Sequence, residues 1–224
     1  MKCRYCENIF SKPFTLEPGV QNRILFESEH FVAVPTLGAL VQGWLLIVSK
    51  RHRICMGDLD PSLLEEMVGF KNRVARVVEF HYGSVAVFEH GPSKPNQALG
   101  CGVDHAHLHI VPTECNLITG LSNIHQNDVL WQDSEGIQDA AEYHAKGFEY
   151  LYIEQPTDKA LIAKAHGFGS QLFRKVIAQH IGKPEWFDWK VYEGAKNIRL
   201  TIEKLTSEAT RRDFDLIVDK VVPS

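Results

Sequence analysis

The chain has 224 residues, 44% of them hydrophobic and 23% charged, an ordinary balance for a globular fold of one large or two small domains. Its net charge of −4 argues against general nucleic-acid binding or docking on an acidic membrane, both of which need a basic surface. No apolar stretch approaches the length of a bilayer span, so no membrane partner is expected.

In chain order, the first feature is Cys3-x-x-Cys6, two thiolates spaced to share one zinc ion. Without a preceding strand, the pair does not read as a thioredoxin-type redox motif. Residues 1–6 hold no apolar signal segment, and the five cysteines (Cys3, Cys6, Cys55, Cys101, Cys115) are odd in number and unevenly spaced. Both features suit a reducing compartment, and the expected location is the cytoplasm.

Strands are expected at 31–35 and 44–48, joined by a loop holding Gly38 and Gly43. That loop is not a Walker site, because Trp44 and Leu45 stand where Lys and Ser or Thr are needed. A local basic run, Lys50-Arg51-His52-Arg53, follows. Asp60 and Pro61 start a helix as N-cap and first-turn residue. Leu64, Met67, Val68, Val74, Val77 and Val78 give it one apolar stripe down to about Phe80, and Gly83 ends it. A third strand is expected at 84–89. The loop from Gly91 to Gly102 can form a nest of backbone N–H groups for an anion, with Lys94 adding positive charge.

That loop leads into Asp104-His-Ala-His-Leu-His-Ile-Val111, where His105, His107 and His109 alternate. Side chains on a strand alternate between faces, so all three are expected on one face, with Ala106, Leu108 and Ile110 buried on the other. The outer two lie about 13 Å apart at strand spacing, too far for one metal ion to take all three. At least one histidine is therefore left for chemistry. A Cys2His2 zinc site built on Cys3 and Cys6 needs two histidines, and His105 with His52 are expected to supply them.

Beyond Cys115 the pattern weakens. A short helix is expected at 139–144, a hairpin at 149–154 and 160–163, a helix at 170–178, a strand at 189–191 and a last amphipathic helix at 197–205. The expected class is α+β, an antiparallel sheet with a helix on one face. Residues 1–115 are expected to form the catalytic domain. Residues 116–224 form a further α+β region whose strand, strand, helix, strand order suggests a degenerate second copy, without a histidine run and so without a catalytic role.

The run from His105 to Val111 resembles the His-φ-His-φ-His-φ-φ signature (φ apolar) of the histidine-triad, or HIT, superfamily of nucleotide hydrolases and transferases. The segment Gly43-Trp-Leu-Leu-Ile-Val-Ser-Lys-Arg-His52 is similar to that family's Gly-His-x-Leu-Val-Ile-Pro-Lys-x-His. The Cys-x-x-Cys pair is similar to that of its zinc-bearing members. The resemblance covers residues 3–113 and implies structural zinc on Cys3, Cys6, His52 and His105. It also implies that His107 is the nucleophile toward the α-phosphorus of a nucleotide, with His109 holding the site through hydrogen bonds. Substrate would be a nucleotide or nucleotide conjugate, with phosphate contacts from Lys94, Gly100, Cys101 and Gly102.

The chain departs from the pattern in two places. Gly100-Cys101-Gly102 replaces the Gly-Gln-Ser of many hydrolases, which removes two polar helpers; its Gly-Cys pair is closer to the uridylyltransferase branch. The acidic residue that grips ribose in relatives has no counterpart among Pro35, Thr36 and Leu37. The expected activity is hydrolysis of a phosphoanhydride, phosphoramidate or related ester. A nucleotidyltransferase or phosphorylase, a non-catalytic nucleotide- or RNA-end-binding module, and a hydrolase with a catalytic metal on two of the histidines remain as alternatives. Single-copy relatives commonly dimerise, whereas a true internal repeat favours a monomer.

Overall fold

The computed structural model describes residues 3–11, 23–95, 103–125, 129–156, 159–165, 167–207, 210 and 214. The described elements are helix α1 (Arg4–Asn8), strands β1 (Phe26–Glu27), β2 (Phe31–Pro35) and β3 (Leu45–Ser49), helix α2 (Leu64–Tyr82), and strands β4 (Val85–Gly91) and β5 (His107–Pro112). There follow α3 (Leu117–Ile124), β6 (Gln132–Ser134), α4 (Ala140–Ala145), β7 (Tyr150–Glu154), β8 (Ala160–Lys164), α5 (Leu172–His180) and α6 (Ala195–Leu205). The architecture is α+β. One antiparallel sheet of eight strands runs β1-β2-β3-β5-β4-β7-β8-β6.

Helix α2 starts where the sequence places it. The Asp60 carboxylate accepts from the Ser62 N–H at 3.0 Å, and a short 3-10 turn at Pro61–Leu63 leads in. Gly83 ends the helix at a φ of 90°. The expected stripe is shifted at its end: Phe70 joins Met67, Val74, Val77 and Val78 inside, while Phe80 is 74% exposed. This face packs on Ala33, Leu45, Ile47, Val87, Leu108 and Ile110.

The opposite face of the sheet is covered in two patches. Tyr5 of α1 and Ile9 just after it sit on Val32, Val34, Leu46 and Val48. Farther along, α3 and α5 bring Leu117, Leu121, Leu172, Phe173 and Val176 onto Ala86, Phe88, Val111 and Leu151. Coverage on both sides explains why β2 and β3 read as unbroken apolar runs and are buried throughout.

Two sequence expectations are corrected. Strand β5 begins at His107, so His105 lies before it, where the His105 N–H turns back to the Val103 carbonyl at 2.9 Å. Residues 189–191 are a turn, closed by N–H groups of Val191 and Tyr192 on the Asp188 carbonyl. The hairpin at 149–154 and 160–163 is present as β7 and β8, whereas α3 and the three-residue β6 carried too little periodicity to be expected. Among the described residues, no helix is long and apolar enough to cross a membrane.

Candidate active site and metal-ligand cluster

The run of histidines divides between two settings. His105, fully buried, turns toward α1: its Nδ1 lies 3.3 Å from Cys3 Sγ and 3.6 Å from Cys6 Sγ. Cys6 Sγ is also 3.8 Å from His52 Nδ1. One ligand atom from each of Cys3, Cys6, His52 and His105 lies within 4.8 Å of the others. Tetrahedral zinc with sulfur and nitrogen ligands needs them about 3.5 Å apart, so the donor set fits that metal. His105 Nε2 donates to the Ser49 carbonyl at 2.7 Å, which fixes the tautomer and turns the Nδ1 lone pair toward the sulfurs. The predicted ligand set thus comes together.

His107 and His109 project from β5 into the gap between the α1 patch and the α3–α5 patch. They are 7% and 3% exposed, with ring centres 5.2 Å apart. His107 Nδ1 donates to the His105 carbonyl at 2.6 Å, because a carbonyl can only accept. Its Nε2 therefore holds the lone pair whenever the ring is neutral. Burial lowers the His107 pKa below the usual histidine value, although the carbonyl contact opposes that shift.

His109 has the other tautomer. The Trp44 indole N–H donates to its Nδ1 at 3.0 Å, and an indole has no lone pair to give back, so the neutral ring carries its proton on Nε2. Burial, then His107 and the Arg174 guanidinium, hold its pKa well below the usual value. Phe88 stacks on the ring at 4.5 Å and Trp44 meets it edge-on at 5.7 Å, fixing its plane. A nucleophilic nitrogen and a hydrogen-bond donor thus stand side by side, both uncharged near neutral pH.

A narrow cleft of about 20 Å³ opens beside His109, lined by Arg4, Tyr5, Thr36, Leu37, Val103, His109, Arg174 and Trp189. Two of these residues belong to the C-terminal half. Arg174, 1% exposed on α5, donates to the carbonyls of Gly38 at 2.6 Å, Leu37 at 3.4 Å and Phe187 at 2.8 Å. Its guanidinium also lies 5.0 Å from the centre of the Trp44 ring.

The 36–43 loop is held further by Asn197, which donates to the Ala39 and Leu40 carbonyls, and by Thr201, which accepts from the Gly43 N–H at 2.8 Å. Gly38 (φ 63°) and Gly194 (φ 64°) allow the two segments to touch. A Cβ on Gly38 would come within 2.6 Å of the Tyr192 carbonyl oxygen, and one on Gly194 within 2.3 Å of the Ala39 nitrogen.

Of the substrate-binding residues expected from the sequence, Lys94 is exposed at the head of its loop, while Gly100, Cys101 and Gly102 lie outside the described residues. Sequence reasoning missed Trp44, Arg174 and Trp189. Only Trp44 left a signal: it occupies the His position of the similar Gly-His-x-Leu segment and supplies an N–H in its place.

The HIT domain family model matches residues 17–116. Residues 17–116 are thus similar to a HIT domain. The chain is 26% identical over 112 residues to an uncharacterised HIT-like protein of Mycobacterium tuberculosis, spanning 50% of this chain and 72% of that protein. Among solved structures, it is 16% identical to a zinc-bound histidine triad family protein from Mycobacterium smegmatis (65% of this chain, 92% of the other, TM-score 0.40). It is 15% identical to a hypothetical histidine triad nucleotide-binding protein from Sulfolobus tokodaii (93% and 97%, TM-score 0.39).

Proposed function

We propose that this HIT-like protein is an enzyme that transfers a nucleotidyl group through His107, with water as the final acceptor. The observation that carries the reading is the opposed tautomers of His107 and His109 in one buried pair. His107 Nε2 attacks the α-phosphorus, the bond to the leaving group breaks, and a nucleotidyl-histidine forms; water then attacks phosphorus and the P–N bond breaks. A covalent intermediate divides one difficult displacement into two easier ones. The His109 Nε2–H is suited to hold a phosphoryl oxygen whose charge grows during attack. The narrow cleft beside it, walled by Leu37, Tyr5 and Trp189, presents apolar surface next to this pair. Residues 116–224 serve in this reading as its wall and clamp.

Cys3, Cys6, His52 and His105 would hold zinc in a structural role, tying α1 to the strand end. The metal would have all four positions filled by protein atoms, leaving none open for substrate. Chelation should lower the melting temperature, whereas a catalytic metal would lose activity with the fold intact.

The deciding experiment is rapid quenching with a panel of nucleotides and nucleoside phosphoramidates, followed by intact mass. A nucleotidyl adduct in wild type, absent in His107→Ala, is expected, and its mass names the nucleotide. Added inorganic phosphate or sugar phosphate separates hydrolase from transferase by accelerating turnover only in the latter. Ligand binding without adduct or turnover would make the protein a binding module.

A further inference from the structure

Helix α1 does more than cover the sheet. Its N-cap Cys3 and its own Cys6 lie against His105 at 3.3 and 3.6 Å, which holds this five-residue helix at two points. Between those points it presents two side chains to the reacting pair. Tyr5, 5% exposed, meets the His107 ring edge-on at 5.4 Å. Arg4, beside it, is exposed and lines the same cleft as His109.

The surroundings of Arg4 are the informative part. Trp189, from the C-terminal half, lines the cleft too, and the Arg4 guanidinium lies 4.7 Å from the centre of its ring. A contact with a ring face engages the positive charge and leaves the in-plane N–H donors open. Lys50, Lys71, Lys146 and Lys159 each face a carboxylate, whereas Arg4 has none among the described residues. The cleft holds a second guanidinium, that of Arg174, and no Asp or Glu lines it. Arg174 is committed to three carbonyls, so its charge is fixed while Arg4 keeps donors to offer. Two cations without a carboxylate, in a chain whose net charge is −4, make this a place for an anion.

We infer that Arg4, steadied by Trp189, binds the phosphate that follows the α-phosphorus, so that the preferred substrate is a nucleoside polyphosphate conjugate and not a phosphoramidate. The inference rests on His107 being the nucleophile. The His107 Nε2–phosphorus bond forms, and the bond from the α-phosphorus to the bridging oxygen breaks. That oxygen leaves with the electron pair as part of a phosphate anion. The guanidinium fork meets two phosphate oxygens as charge grows there. A phosphate can depart without a proton, whereas an amine departs only after taking one. The polar helpers missing from Gly100-Cys101-Gly102 are least needed for the first kind of leaving group.

The test pairs two substrates that share a nucleotidyl group and differ in what leaves. Dinucleoside triphosphates release a nucleoside diphosphate, and nucleoside 5′-phosphoramidates release ammonia. Each is supplied with adenosine, guanosine, cytidine or uridine, and kcat/KM is measured for wild type, Arg4→Gln, Arg4→Lys and His107→Ala. Wild type should favour the triphosphate. Arg4→Gln should lower kcat/KM for it by about 10- to 100-fold, the scale of one charge-assisted hydrogen bond, and for the phosphoramidate only a few-fold. Arg4→Lys, which keeps the charge and loses the fork, should fall between. The ratio of the two substrates on one preparation does not depend on the fraction folded. A wild-type preference for the phosphoramidate, or a ratio unchanged in Arg4→Gln, overturns the inference while leaving His107 in place. Wild type that cleaves neither substrate and forms no adduct overturns the nucleophile reading, and this inference with it.

Discussion

The two halves of the chain build the site in different ways. Residues up to 115 supply the four metal-ligand candidates and the His107–His109 pair, all through side-chain atoms of particular chemical types. Residues from 116 onward act largely on the backbone of that region: the side chains of Arg174 and Asn197 donate to carbonyls of the 36–43 loop, and Gly194 lets Ala39 approach. Such chemistry needs fixed residue types at fixed spacing, and so is visible in a sequence. Support needs only a donor within reach of a carbonyl, which many residues can provide.

The sharpest test of the contrast is to damage each half once. His107→Ala should reduce nucleotidyl transfer by more than about 10⁴-fold, since the proposed mechanism forms its covalent bond at this residue. Its melting temperature should move little, because the lost partner, the His105 carbonyl, lies at the edge of the site. Substantial residual turnover measured by single-turnover assay would return the chemistry to a different group. Arg174→Ala should do the reverse. It removes the donor of the Gly38 and Phe187 carbonyls and one of two donors to the Leu37 carbonyl, costing about 3 kcal/mol and lowering the melting temperature by roughly 10 °C. The rise in KM should exceed the fall in kcat, because the 36–37 wall shifts while His107 stays. An unchanged thermal transition would mean that the clamp is incidental.

What the sequence made legible follows the same division. The Asp60–Pro61 start, the Gly83 stop and the alternation at His107 and His109 are local patterns, and each is present. The Cys3, Cys6, His52 and His105 grouping was also legible, through its resemblance to a known ligand set, although it joins residues 102 positions apart. The bend that removes His105 from the strand was not, because period-two alternation continues through it unchanged. Arg174 was hidden for a physical reason: a cation on an amphipathic helix normally marks the solvent face, and here it is buried against carbonyls. Arg4 and Trp189 meet from opposite ends of the chain, a contact that no local window sees.

Between the halves in size of effect stands Trp44, which ties the 36–43 loop to the reacting pair. Trp44→Phe keeps most of the edge contact and removes the indole N–H, leaving His109 Nδ1 without its donor. His109 is then able to take the other tautomer and lose the Nε2–H that the proposed mechanism uses. The expected result is a fall in kcat of about 10-fold, the scale of one lost hydrogen bond of 1–2 kcal/mol, with KM nearly constant. A change confined to KM would assign Trp44 to the pocket wall instead.

The smallest effect concerns a seam between the halves, away from the chemistry. Glu89 on β4 accepts the Met56 N–H at 2.8 Å and the hydroxyl of Tyr150 on β7. Burial raises its carboxyl to about 8, against the hydrogen bonds that favour the charged form. A carboxyl that is protonated when folded and ionised when unfolded binds more protons in the native state between about 4.5 and 8. Its contribution to stability is therefore fully present below the unfolded value and is lost as pH rises through about 8. Glu89→Gln removes this dependence without removing the acceptor oxygen. Plotted against pH from 5 to 9, the stability of the variant relative to wild type should rise toward the alkaline end, whatever its constant offset. A flat difference would mean that Glu89 stays ionised in the fold, and that the two strands meet around a buried charge held by Tyr150.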